Sequence, residues 1–192
     1  MIMAKLKEAT RKQHEGVEGT VNMMDEMSTL DRYKVLLCRF YRYYRSAESV
    51  ISGIDLTETG YRFEERLKTP AIERDLEFLG VLDQAKNLPE WKLLPEMKTA
   101  ANVFGVLYVL EGATLGGQVI SRHLNQTLSL TPENGAAFFS GYGAQTGPMW
   151  KEFGAITADF AERANDDDSI IKSAIETFET INKCLSDPIR IN

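Results

Sequence analysis

Cysteine is nearly absent from this chain. Cys38 and Cys184 are the only two in 192 residues, too few for a secreted disulfide scaffold and without the spacing of a metal site. Both are expected to be reduced and structural, which suits a cytoplasmic protein. Histidine is as scarce, with His14 and His123 alone, so three or four imidazoles for a bare zinc or iron are not to be had. The start of the chain, MIMAKLKEATRKQHEG, has neither the apolar core nor the small-residue cleavage site of a signal peptide. No unbroken apolar run of about 18 residues occurs, so neither export nor a membrane span is expected. A basic surplus is also missing. Lys and Arg number 22 against 28 Asp and Glu, for a net charge of −6, whereas a general nucleic-acid binder needs a clustered basic footprint. The sequence holds no GxxxxGK[ST], HExxH, CxxC or GxSxG, no convincing period-two alternation and no internal repeat.

What remains is helical periodicity, enough for one domain over residues 1–192. The spacing predicts an amphipathic helix over 3–19, with Leu6, Ala9, Gln13 and Val17 inward, and a short connection over 22–28. A helix over 30–51 follows, capped around Thr29 and carrying Tyr33, Leu36, Leu37, Phe40, Tyr41, Tyr44, Ala47, Val50 and Ile51 on its apolar face. Arg39, Arg42 and Arg45 recur on another side of it, as a solvated face or a docking patch. Further helices are expected over 57–67 and from Pro70 to Leu79, then an irregular connector over 81–96. A long helix from about Met97 to Leu124 comes next, then a short one opening at Thr131-Pro132-Glu133 and ending in FFSGYG. Two more run over 146–163 and 170–185, the last capped by the stretch from Asn165 to Ser169. The fold class is all-α, a bundle of about seven helices with short connections.

The long helix is the unusual one. It carries Gly105, Gly112, Gly116 and Gly117, and each interior glycine costs a helix about 1 kcal/mol relative to alanine. Ala101, Gly105, Tyr108, Gly112, Gly116 and Val119 share one side of the cylinder, a stripe with few side chains. Such a stripe admits the close approach of another helix, a bend at Gly116-Gly117, or a flat ligand against bare backbone. Periodicity does not separate the three.

His14 has a carboxylate, Glu18, one turn away on the same face as Lys7. That is the spacing of a surface pair, and also of a ligating imidazole whose second N–H is held by a carboxylate. One histidine suffices for haem, whose porphyrin supplies the other four ligands to iron. A flat macrocycle fits between such an imidazole and a stripped helix, with Lys7 about 10 Å along the first helix in reach of a propionate. His123, near a helix end among polar neighbours, reads as structural.

LKEATRKQHEGVEG at 6–19 and YVLEGATLGGQVI at 108–120 together resemble the haem oxygenases. Weaker similarity runs through RLKTPAIERDLEFLG at 66–80 and GYGAQTGPMWKEF at 141–153. The first segment is similar to the family's proximal helix and places the iron ligand at His14 with Glu18 behind it. The second is similar to the distal helix, its glycine pattern falling on Gly112, Gly116 and Gly117. The resemblance is to the bacterial, biliverdin-producing branch, some of whose members serve bacteriophytochromes. It implies a haem oxygenase-type bundle in which haem is both substrate and cofactor, cleaved with O2 and external electrons to biliverdin, carbon monoxide and ferrous iron. A ferredoxin or flavoprotein reductase is the implied donor, with the arginine row as its docking patch. Gly112 and Gly116 are expected to steer the reaction by their lack of bulk. Lys7 and Lys151 match basic residues for the propionates, with Tyr108 as a substitute for a neighbouring tyrosine. Where the animal-type pattern has a distal aspartate, this chain has Ala113, which leaves Thr114 and Glu111 as the candidate polar groups. The same substitution motivates the alternative of a non-catalytic haem carrier or sensor.

Overall fold

The computed structural model describes residues 1–20, 25 and 27–191, the side chains of residues 17–20 excepted. Most of the connection expected over 22–28 therefore lies outside the described residues. Among those described there are nine α-helices and no strand: α1 (Ile2–Ala9), α2 (Arg11–Thr20), α3 (Leu30–Ile51), α4 (Thr69–Phe78), α5 (Leu82–Lys86), α6 (Ala100–Leu128), α7 (Ala137–Ser140), α8 (Thr146–Ala164) and α9 (Asp167–Ser186). The all-α expectation holds. The helix expected over 57–67 is instead two 3-10 turns, Thr57–Thr59 and Phe63–Arg66, because Gly60 between them sits at φ 75° and ends the first. Thr131-Pro132-Glu133 forms a turn, and the helix there starts only at Ala137.

The long helices begin where short polar side chains satisfy their first N–H groups. Thr29 accepts from Arg32 N–H ahead of α3, Asp166 from Ser169 N–H ahead of α9, and Thr99 exchanges bonds with Asn102 at the start of α6. Two other N-termini are capped from across the core. Glu48 of α3 accepts from Lys68 N–H at 2.6 Å and Thr69 N–H at 3.2 Å, closing the start of α4. Asp75 of α4 accepts from Ala137 and Phe138 N–H, both at 2.8 Å, closing the start of α7. These ties fix α3, α4 and α7 relative to one another.

The core is strongly aromatic along α3, where Tyr33, Tyr41, Tyr43 and Tyr44 are buried and Val50, expected inward, is exposed. Three of these phenols have a hydrogen-bond partner, as buried Tyr hydroxyls usually do. Tyr33 donates to Gly135 C=O at 2.7 Å, Tyr41 to Glu73 at 2.9 Å, and the Tyr43 hydroxyl meets Thr180 at 2.8 Å. The most extensive helix contact is α6 on α9, with α7 and α8 also against α6. At 29 residues α6 is long and apolar enough to cross a membrane, yet it packs within this bundle and carries the ion-paired Glu111.

The arginine row is not a plain solvated face. Arg42 is 5% exposed; it donates to Pro89 C=O at 2.9 Å, pairs with Asp187 at 2.6 Å and lies over the Trp91 ring. Arg39 donates to Asp187 C=O at 3.0 Å, and Arg45 to Leu88 C=O at 3.3 Å. Carbonyls stranded in the connector and at the end of α9 need donors, and three arginines one helical turn apart supply them. The row straps both segments to α3.

Candidate functional site

A cleft of about 580 Å³ opens between α2 on one side and α6 on the other, within the 300–1,000 Å³ typical of small-molecule and cofactor sites. Its first wall starts from a break in the first helix. Thr10 leaves helical geometry (φ −98°, ψ 0°) while its hydroxyl donates to Leu6 C=O at 2.7 Å, so the chain restarts as α2. Buried Ile2 and Leu6 fix α1, which packs on α8 and α9. Beyond the break α2 brings His14 to the cleft, with Lys7 and Arg11 as exposed cations on its lining. The Phe178 ring of α9 meets the His14 imidazole edge-on, with centroids 5.7 Å apart and planes at 70°. Glu18 lies on α2, and its side chain is outside the described residues.

The second wall is the glycine stripe, and its four members have different neighbours. A Cβ on Gly105 would stand 2.2 Å from the Ile170 carbonyl oxygen, and one on Gly117 would stand 2.5 Å from that of Phe139. Those two glycines exist so that α9 and α7 can approach α6. A Cβ on Gly112 would reach only the Trp150 ring at 3.6 Å, and one on Gly116 would meet nothing within 4 Å. Both line the cleft. Close helix approach and a bare ligand-facing surface therefore share one stripe, and α6 runs as α-helix from Ala100 to Leu128 without a break at Gly116-Gly117. Gly117 also lines the cleft, but its missing side chain is explained by Phe139.

Aromatic side chains close the floor. Phe40 and Tyr44 of α3 and Phe138 and Phe139 of α7 all line the cleft and pack as a cluster, with centroids 4.8–5.5 Å apart in the pairs Phe40–Phe138, Phe40–Phe139, Tyr44–Phe138 and Phe138–Phe139. The cap from Asp75 holds α7 in place for this. Burial pushes the Tyr44 phenol well above its ordinary pKa, so it stays neutral. Tyr108 lines the cleft beside Trp150 at 5.7 Å. Thr114 is buried on the cleft in an unbroken helix, its hydroxyl donating to Glu111 C=O at 2.6 Å.

Glu111 is not on the cleft lining. It is 2% exposed, and its carboxylate pairs with Lys68 at 2.6 Å and Arg66 at 3.2 Å and accepts from the Tyr142 hydroxyl at 2.8 Å. Arg66 reaches on to Glu152 at 2.6 Å. The resemblance makes Glu111 a candidate polar group of the site, while the fold buries it behind the cleft lining. Lys151 is exposed and likewise absent from the lining. Two cleft residues that sequence reasoning passed over are Lys68, 7% exposed and on the lining, and Arg11. Among the described residues no cluster of three His, Cys, Asp or Glu can hold a metal ion.

An all-α bundle with one imidazole-bearing helix facing a glycine-lined helix across a cofactor-sized cleft defines the class. The heme oxygenase family profile matches residues 1–187, and the chain belongs to that family. A curated heme oxygenase of Xanthomonas campestris pv. campestris (strain 8004) is 35% identical over 96 residues, which is 50% of this chain and 54% of that protein. The match thus spans about half the length of the relative. Among solved structures, the NO- and CO-bound heme oxygenase of Neisseria meningitidis superposes with TM-score 0.80 at 21% identity, over 96% of this chain and 90% of that one. The heme oxygenase of Leptospira interrogans does so with 0.72 at 17%, over 96% and 98%. Heme oxygenase 2 of Chlamydomonas reinhardtii, solved without heme, gives 0.71 at 17%, over 100% and 99%. At these identities the superpositions speak for the fold.

Proposed function

We propose that the cleft binds haem between His14 and the bare backbone at Gly112 and Gly116, and that the chain degrades it with O2 and external electrons to biliverdin, carbon monoxide and ferrous iron. The observation that carries this is the division of the glycine stripe. Two glycines are consumed by helix packing, and the two that are not open onto the cavity reached by the one cleft-lining imidazole. Bound there, haem supplies the oxygen-activating iron and is itself the molecule oxidised.

This chain's own residues would bind, orient and shield. His14 holds the iron from the α2 side, and the Phe178 edge steadies its ring. Lys7 and Arg11, exposed on the lining, suit the two propionates, with Tyr108 facing them from α6. The aromatic floor of Phe40, Tyr44, Phe138 and Phe139 excludes water from the buried edge. Gly112 and Gly116 would let haem lie close against the α6 backbone, so sterics there would select the ring edge attacked. Electrons come from a separate ferredoxin or flavoprotein reductase. A bacteriophytochrome is one acceptor for the bilin.

Ala113 lines the cleft where a polar residue would organise water, and that supports a second reading, a haem carrier or sensor without turnover. Aerobic incubation of the haem complex with a reductant separates the two. Loss of the Soret band with growth of a bilin spectrum is the expected outcome, and a persistent unreacted complex would establish the carrier. His14→Ala tests the binding itself, since unchanged haem affinity and coordination spectrum would refute the cleft assignment.

A further inference from the structure

Of the four side chains in the buried cluster of Arg66, Lys68, Glu111 and Tyr142, Lys68 alone lines the cleft. It differs from the other cleft cations, Lys7 and Arg11, which are exposed and therefore screened by water. Its ammonium has three N–H groups, and protein acceptors surround it: Glu111 at 2.6 Å, Arg66 C=O at 2.6 Å and the Tyr142 hydroxyl at 2.5 Å. The Tyr142 ring also faces it, 4.5 Å from the centroid. The group is thus fixed in position, and what it presents to the cavity is charge. Burial lowers the pKa of Lys68, and Glu111 opposes that fall, so Glu111 helps to keep it charged. On α6, whose Glu111 holds Lys68, Ala113 and the glycines offer the cleft no polar side chain, and the Thr114 hydroxyl is engaged by Glu111 C=O at 2.6 Å.

Resting on the haem reading of the cleft, we propose that Lys68 supplies the positive charge on the α6 side of the cavity, stabilising negative charge that develops on a small ligand there. It fills by charge the place that Ala113 leaves without a polar group. Charge aimed from a fixed, dry position is the form of electrostatic help that needs no rearrangement during reaction, and Glu111, Tyr142 and the Arg66 carbonyl are what fix it.

The test uses the ferric haem complex of the full chain and azide as an anionic probe. Lys68→Met is expected to weaken azide binding on the order of tenfold, since it takes away one of the cations that balance the buried Glu111 carboxylate and leaves that wall of the cavity more negative. Lys68→Arg, which keeps the charge, is expected to restore most of it. Lys68→Gln, which keeps a donor to Glu111 but no charge, is expected to behave like Lys68→Met, and it serves if the methionine variant does not fold. The carbon monoxide stretch of the ferrous complex should rise in both neutral variants and not in Lys68→Arg. Azide affinity and carbon monoxide stretch unchanged in folded neutral variants would overturn the role of Lys68 while leaving haem binding in place. Absence of any His14-dependent haem spectrum in the unmodified protein would instead overturn the haem reading, and this role with it.

Discussion

Adding one methyl group to each glycine of α6 in turn separates packing from ligand accommodation, because the two make opposite predictions for stability. Gly105→Ala places a carbon 2.2 Å from the Ile170 carbonyl oxygen and 2.8 Å from Ser173 Cβ, so α9 must move. Overpacking of this kind costs about 1–3 kcal/mol or more, against a gain of about 1 kcal/mol from helix propensity, for a net loss. Gly117→Ala meets the Phe139 carbonyl at 2.5 Å and should also lose. Gly116→Ala meets nothing within 4 Å, so only the propensity gain remains. The haem-free protein should then be more stable by up to about 1 kcal/mol, about 2–4 °C in Tm for a chain of this size. The same methyl enters the space assigned to haem and should weaken haem affinity on the order of tenfold. Thermal melts with and without haem, beside a Soret titration, read both signs. A Gly116→Ala protein that is less stable without haem, or that binds haem as tightly as before, would refute the division of the stripe.

Arg42→Ala removes the bonds to Pro89 and Asp187 from a nearly buried guanidinium. It should cost about 2–3 kcal/mol in chemical denaturation, and a loss under 0.5 kcal/mol would return the arginine row to the surface reading. Asp75 is held above the ordinary aspartate pKa mainly by burial, against the lowering effect of Phe138 and Ala137 N–H. A native pKa raised above the unfolded value of about 3.9 means that the folded state binds the proton more tightly, so this term falls as pH rises between the two values. The stability of the unmodified protein minus that of Asp75→Asn should accordingly decrease as pH rises from about 4 through the raised value, and an increase would refute the assignment. Burial pushes the thiols of Cys38 and Cys184 up to about 12, so both should react with a thiol reagent at neutral pH only on unfolding. Labelling of native protein within minutes would contradict their placement.

The helices with strong periodicity and a polar cap were legible because both signals are local. α3 and α9 fall within a few residues of their expected bounds, and α6 starts at the Thr99–Asn102 box. The segment 57–67 misled because its apolar spacing outlasts the conformational stop at Gly60, whose φ of 75° a helix does not contain. The arginine row misled for a different reason. Its acceptors in the connector and at Asp187 lie 41–148 residues away, and periodicity within α3 carries no information about what covers it.

The candidate site divides along the same line. His14 and the glycines were visible because a lone imidazole with a carboxylate one turn on, and a helix that tolerates four glycines, are both locally anomalous. Which glycine faces what was not visible: Gly105 and Gly116 are chemically identical, and only the arrival of α9 at one and of open cavity at the other tells them apart. Lys68 was missed since an isolated lysine after a short turn has no signal until Glu111, 43 residues on, is folded against it. Glu111 was a candidate as one of two polar groups near Ala113, and sequence adjacency on a helix turns neighbours about 100° apart. Gly112 and Ala113 look into the cleft, whereas Glu111 looks into the protein, where a carboxylate survives only by holding cations. One of the two it holds is the lysine that reaches back to the cavity.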